Sequence, residues 1–383
     1  MRRRHRPRHA RRPTWSLRLL LVIFVVGCVG AAAAVFVALK DQEPSGARAV
    51  GSTTGGPRST TTSIAPTTTR DPVLGTGQAV TIAFAGDTFF DGAIEGRLAA
   101  DPASVLAPVA PILSAADLAV VNMETALGAG GAPENKTYTF QAPPRALEAY
   151  RSAGVDVVSA ANNHGMDYGP ASFQETLQAE RDLGFPIIGI GQNEAEAYAP
   201  FVAEIRGQRI AILAANQVFD DHLVDSWTAT PEQPGLASAL RVDRLLQAVA
   251  EARAVADTVV VFLHWGIERV QCPSEVQRTL ARQLVDAGAD AVVGSHAHQL
   301  LGGGRLGDAV VHYGLGNFAF SSRVATDTVT GVFLVTITGQ RVDAFDWVPA
   351  RMVDRQPVPM VSPEAEAARA DWDRLRDCTD LTP

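Results

Sequence analysis

Cysteine is scarce in this chain: three residues in 383, Cys28, Cys272 and Cys378, none at zinc-finger spacing. A thiolate-built metal cluster is therefore excluded. Basic charge is scarce too once the first 18 residues are set aside. Those hold eight arginines and no acid, while the rest carries 25 basic against 41 acidic residues, a balance of −16. So acidic a body argues against a nucleic-acid partner, which needs Lys and Arg for its phosphates. A phosphate ester at a metal site stays open, because there the metal supplies the positive charge. No internal repeat is present. Of eight histidines, His5 and His9 lie in the basic tail and four of the other six fall in short motifs that follow apolar runs; only His222 and His312 lie elsewhere.

Residues 19–39 run for 21 positions without a charge. At about 1.5 Å per helical residue this matches a bilayer core of ~30 Å. The expectation is one uncleaved transmembrane helix, with residues 1–18 as a cytoplasmic tail and everything after Lys40 outside, giving a single-pass protein of the cell membrane. Three alternatives compete. A cleaved signal peptide usually has a shorter apolar region of ~7–15 residues. A lipoprotein signal ending at Cys28 conflicts with the eleven apolar residues that follow it, and a twin-arginine signal at Arg11 and Arg12 lacks suitable flanks. Residues 41–77 read as a solvated linker, since eleven of the eighteen residues from Ser52 to Thr69 are Ser or Thr. Cys272 and Cys378 lie in the outer part, where disulfides persist; they either pair with each other or remain two free thiols.

The folded part is expected over 78–350, with a C-terminal extension, 351–383, that ends in a closing helix near Ser362–Leu375. Runs rich in Val and Ile predict strands at Val80–Ala85, Leu118–Val121, Val155–Ser159, Ile210–Leu213, Val259–Leu263, Ala291–Val293, Ala309–His312 and Val329–Ile337. Helical patterns at Pro143–Ala153, Pro170–Leu183, Val242–Ala256 and Ser274–Ala287 alternate with them. This order implies an α/β fold with a largely parallel first sheet. The later strands, from Ala309 to Val348, have no helices between them and suggest a second, more antiparallel sheet.

Ligands of open α/β sheets bind beyond the carboxyl ends of the strands. Six segments put polar residues there: Asp87; Asn122 and Glu124; Asn162, Asn163 and His164; His264; His296 and His298; and Gly314–Asn317. Each alone has an ordinary reading, as turn former, helix cap or surface group. Together they form a carboxylate, amide and imidazole set, which suits Mn, Zn or Fe better than Ca. Two such ions ~3.5–4 Å apart, bridged by a carboxylate, would activate a water and clamp a phosphoryl oxygen.

The stretch from Lys136 to Gly169 (KTYTFQAPPRALEAYRSAGVDVVSAANNHGMDYG), FLHWGIE, GADAVVGSHAHQL and YGLGNFAF resemble the CapA proteins of bacterial capsule and poly-γ-glutamate synthesis, which are similar to calcineurin-like metallophosphoesterases. The resemblance covers roughly Val80 to Ile337. It implies a four-layer α/β/β/α sandwich and a divalent-metal site of one or two ions. It further implies Asp87 as a metal ligand, Glu124 as the bridging carboxylate and Asn163 as the amide ligand. His264 and His296 would complete the second metal and His298 the first. His164 would protonate a leaving group, oriented by Asp167, and Asn122, Asn162, Glu268 and Asn317 would support the site or face the substrate. Two residues depart from the pattern. Phe89 stands where phosphoesterases carry a histidine ligand, and Ala297 replaces a proline between His296 and His298. The leading functional expectation is a membrane-anchored protein acting on an anionic cell-surface polymer, in a membrane synthesis or export complex. A secreted phosphoesterase unrelated to capsule, and a non-catalytic subunit, are the rivals.

Overall fold

The computed structural model describes residues 77–90, 93–320 and 328–383. The expected tail, the expected anchor and all of the expected linker but Gly77 lie outside the described residues. Among the described residues no helix is long and apolar enough to cross a membrane.

Two sheets dominate. The first contains β1 (Val80–Thr88), β2 (Leu118–Met123), β3 (Val157–Ser159) and β4 (Ile187–Ile188), all parallel. The second begins with the antiparallel pair β5 (Phe201–Ile205) and β6 (Gln208–Asn216), and continues in parallel through β7 (Thr258–His264), β8 (Ala291–Ser295) and β10 (Ala309–His312), with β9 (Gly303–Leu306) antiparallel at its edge. After the short β11 (Asn317–Ala319), the chain returns to the first sheet. There β12 (Val329–Thr338) pairs antiparallel with β1, followed by β13 (Arg341–Val353) and β14 (Gln356–Pro359).

Of the late strands, β10 joins the second sheet in parallel, and β11 to β14 complete the first sheet rather than forming an antiparallel sheet of their own, which corrects the sheet assignment expected from their order. β1 explains why. It is buried along almost its whole length, and a buried strand with one open edge would leave backbone groups without partners. β12 supplies those partners for Val80–Phe84, and β11 takes over at Asp87 and Thr88. Because β13 runs through residue 350, the sheet continues into the 351–383 segment.

Alternation along the strands builds the layers. Ile82, Phe84, Val120 and Val157 of the first sheet face Ile212, Val260, Phe262 and Val293 of the second in one core, with Phe84 and Phe262 6.4 Å apart between ring centres. The intervening residues Ala83, Ala85, Ala119 and Val121 point the other way. They pack under α1 (Ala93–Ala100), α2 (Ala146–Ser152) and α3 (Gly169–Leu183). Ala211, Leu213, Val261 and Leu263 likewise pack under α4 (Val242–Arg253) and α5 (Glu275–Ala287). The order is helices, sheet, sheet, helices. Local sequence sets the helix ends. Ser274 and Gln277 form a capping box on α5, and Gly184 and Gly288 close α3 and α5 in the left-handed conformation. The last helix, α6 (Glu364–Arg374), sends Trp372 into the core between the sheets, and a Cys272–Cys378 disulfide ties the segment beyond it to the loop after β7.

Candidate metal centre

Parallel strands from both sheets end at one place. Asp87 lies near the end of β1, Asn122 lies in β2 with Glu124 just past its end, and His264 ends β7. The turn after β3 brings Asn162, Asn163 and His164, the turn after β8 brings His296 and His298, and Asn317 opens β11. The β1–β2 register shifts between Ala85 and Asp87, an irregularity that re-aims the side chain beyond it. At that shift Gly86 leaves no room for a β-carbon, which would stand 1.9 Å from the Gly316 carbonyl oxygen.

The centre is dry. Asp87, Asn122, Glu124 and Asn162 are fully buried, and His264 and His296 nearly so. Asn122 Nδ2 donates to Asp87 Oδ1 at 2.8 Å, and Asn162 Nδ2 donates to Asn122 Oδ1 at 3.1 Å and to the Met123 carbonyl at 2.8 Å. The His296 backbone N–H reaches Asp87 Oδ2 at 3.2 Å. His264 Nε2 stands 2.7 Å from Asn163 Oδ1, 3.1 Å from His296 Nδ1 and 3.6 Å from Glu124 Oε1. His298 Nδ1 stands 3.4 Å from Asp87 Oδ2 and 2.7 Å from Asn317 Oδ1, while its Nε2 lies 3.9 Å from Glu124 Oε1. His296 and His298 both hold positive φ, 89° and 54°, a conformation uncommon for side-chain-bearing residues and concentrated where function imposes it.

Two groups of donors emerge, Glu124 with His264 and His296, and Asp87 with Glu124 and His298; within each, the ligand atoms lie within 4.8 Å of one another. Glu124 belongs to both. Neither of its carboxylate oxygens has a hydrogen-bond partner, although the side chain is wholly buried. Burial, and then the charge of Asp87, push its pKa well above the usual carboxylate range. Burial lowers the pKa of His298, but Glu124 and Asp87 outweigh it and raise the ring to about 10. Both shifts report excess negative charge in a desolvated pocket, which is the condition a divalent cation relieves. The donor set thus fits a divalent metal.

Beside this group lies a proton-handling pair. Burial lowers the pKa of His164 more than its bond to Asp167 raises it, so the ring is neutral at pH 7. Its Nδ1 stands 2.5 Å from Asp167 Oδ2, and its Nε2 faces Glu124 Oε1 at 3.8 Å. Phe140 stacks on the imidazole, ring centres 3.9 Å apart, and Phe89 stacks on Phe140 at 3.8 Å. The residue that departs from the phosphoesterase pattern thus packs behind His164, in a small cluster with Phe320 and Met352. Glu268 is exposed on the loop after β7, and its charge also bears on Glu124.

One participant was assigned no role from the sequence, although it heads the stretch from Lys136 to Gly169. Lys136, almost buried, donates to the Asn163 carbonyl oxygen and forms an ion pair with Asp167 Oδ1 at 2.7 Å. The signal for it was composition: Lys136 is one of two lysines in the chain, the other being Lys40, against 31 arginines.

A family described as "Bacterial capsule synthesis protein PGA_cap" matches residues 81–322. The chain belongs to this family. As a PGA_cap protein it is 32% identical over 232 residues to the capsule biosynthesis protein CapA of Bacillus anthracis, covering 60% of this chain and 55% of that one. It is 31% identical over 220 residues to the PGA biosynthesis protein CapA of Bacillus subtilis (strain 168), covering 57% of each. The chain therefore spans a little over half the length of these relatives. Among solved structures, a 5'-nucleotidase from Candida albicans SC5314 aligns at 12% identity with a TM-score of 0.42, covering 78% of this chain and 57% of that one.

Proposed function

We propose that this PGA_cap protein is a membrane-anchored, extracytoplasmic accessory of anionic polymer synthesis, export or attachment, such as that of poly-γ-glutamate. Its folded part is a phosphoesterase-like centre that uses two divalent ions, Mn or Zn (or Fe). The observation that carries the reading is Glu124, shared by two ligand groups, buried, and bare at both oxygens. Membrane placement rests on the uncharged residues 19–39 behind eight arginines. A membrane synthesis complex is the matching partner, in keeping with relatives named for capsule and PGA biosynthesis.

Asp87, Glu124 and His298 would hold one ion, and Glu124, Asn163, His264 and His296 the other. Bound divalent ions acidify a water and neutralise charge on a phosphoryl oxygen. The chain's own residues do the rest. Asp167 keeps the proton of His164 on Nδ1 and leaves Nε2 facing the centre as an acceptor. A neutral His164 would accept at Nε2 the proton given up by the attacking water and pass it to the leaving-group oxygen as the ester bond breaks. Asn122 and Asn162 hold Asp87 and the His164 turn in register.

Phe89, where a histidine ligand is usual, favours a second reading: a non-catalytic subunit with a weakened first site. One comparison separates the two. Full-length protein, His264→Ala and His296→Ala are purified without chelator, and metal content is measured with Mn²⁺- and Zn²⁺-dependent cleavage of a generic phosphoester. About two ions per chain, with turnover lost in both variants, supports the enzyme. One ion or none, without turnover, supports the subunit.

A further inference from the structure

We propose that Lys136 is a positioning residue, which locks the proton-handling pair and the amide ligand of the centre into one rigid bracket. The inference rests on the metal-centre reading above and adds to it a residue that touches no metal ligand group except a backbone carbonyl.

The segment from Glu134 to Phe140 grips the Asn163–Asp167 turn at successive points. Glu134 N–H donates to the Asp167 carbonyl at 2.8 Å, Lys136 Nζ meets Asp167 Oδ1 at 2.7 Å, and Phe140 N–H donates to Asp167 Oδ2 at 2.7 Å. The Phe140 ring then lies flat on His164. Lys136 is the one member that also reaches the other end of the turn, through the Asn163 carbonyl. Asn163 Oδ1 faces His264 Nε2, and Asp167 Oδ2 faces His164 Nδ1, so one ammonium fixes the residues that aim both side chains.

The choice of lysine is itself informative in a chain that uses arginine for almost every other cation. A guanidinium is planar and suits a forked carboxylate, whereas an ammonium presents three donors in a tetrahedral array. Three acceptors surround Nζ: Asp167 Oδ1, the Asn163 carbonyl oxygen and, at ion-pair distance, Asp220 Oδ2 at 3.6 Å. The Trp227 ring covers the ammonium at 4.9 Å from its centroid, and the side chain is only 4% exposed. A cation so desolvated is costly unless its partners are fixed, and that cost makes the bracket stiff.

The test compares full-length wild type with Lys136→Met, a chain of similar length without charge. The first readout needs no turnover: in ¹⁵N-histidine-labelled protein, the far-downfield Nδ1 proton of His164, assigned with His164→Ala, reports its bond to Asp167. The second is the separation of kcat from KM on a generic phosphoester, together with Mn²⁺ content. The expected result is loss or a large upfield move of the resonance and a kcat about 10²-fold lower, as for a misplacement of about 1 Å. KM and metal content stay within about threefold. An unchanged resonance and kcat overturn the proposal, and so does loss of metal with the resonance intact. If the Met variant does not fold, as judged by its melt, Lys136→Arg reports the same readouts with the charge retained, and wild-type values there overturn it as well. Absence of turnover in wild type defeats the phosphoesterase reading alone, because the resonance still decides the role of Lys136.

Discussion

Glu124 is the side chain on which the centre's electrostatics turn. It is buried without a single hydrogen bond, beside a second buried carboxylate, Asp87. Without a cation such a group is driven to hold a proton, and His298 is drawn to its charged form for the same reason. Metal uptake must therefore displace protons, so affinity falls as pH falls. Calorimetry of Mn²⁺ binding in two buffers of different ionisation enthalpy should register net proton release at pH 7. Glu124→Gln removes a donor common to both groups, and it should weaken binding by more than the roughly 10–100-fold typical of a supporting group. Wild-type affinity with unchanged proton release in that variant would mean that Glu124 is no ligand. At this scale the sequence was informative where a polar residue followed an apolar run, as with Asp87, His264 and His296. It assigned no role to Lys136, which heads one of the resembling stretches but follows no apolar run and acts through a turn 27 residues away.

Elements show where the apolar pattern stops being a guide. The expected strands end at Ala85, Val121, Leu213 and Leu263, but β1, β2, β6 and β7 continue through Thr88, Met123, Asn216 and His264. The strongly apolar runs give out at or shortly before the first polar residue. The strands continue because those polar side chains find partners in the buried centre, as Thr88 does on the Asn122 carbonyl at 2.6 Å. Sheet membership was less legible than strand existence, because pairing β12 with β1 joins residues some 250 apart, as in Thr81 with Thr336. The site depends on one further long-range approach, β1 against the turn before β11, where Asp87 N–H donates to the Gly316 carbonyl at 2.9 Å. Gly86→Ala should push these segments apart. Overpacking of this kind costs roughly 1–3 kcal/mol, so the expected outcome is a lower melting temperature together with reduced Mn²⁺ content, since Asp87 moves with the strand. A variant that melts lower yet binds metal normally would show that the approach serves stability alone.

The two sheets are joined by a buried stack of rings. His312 of β10 in the second sheet lies flat on Trp372 of α6, ring centres 5.8 Å apart, and Trp372 lies on Trp347 of β13 in the first sheet at 5.8 Å. The Trp372 indole N–H donates to His312 Nε2 at 3.0 Å, so that nitrogen must carry a lone pair and the ring must be neutral. Burial, and then the charge of Arg376, lower the pKa of His312 to about 3. An unfolded chain holds this histidine near 6.5. Between those values the unfolded state binds the extra proton, so the contribution of His312 to stability is full above about pH 6.5 and is lost as pH falls towards 3. Each pH unit in that window removes about 1.4 kcal/mol, or roughly 2–4 °C of melting temperature for a domain of this size. His312→Gln offers an acceptor to Trp372 but does not titrate. His164, His264 and His296 share the downward shift and remain in both proteins, so only the difference between the two melting profiles reports His312. From pH 7 to pH 4.5 the wild type should lose melting temperature more steeply than the variant, and the profiles should converge with acid. Parallel profiles over that range would mean that the contact between α6 and the sheets does not depend on the charge of His312, and that acid opens the molecule at the metal centre instead.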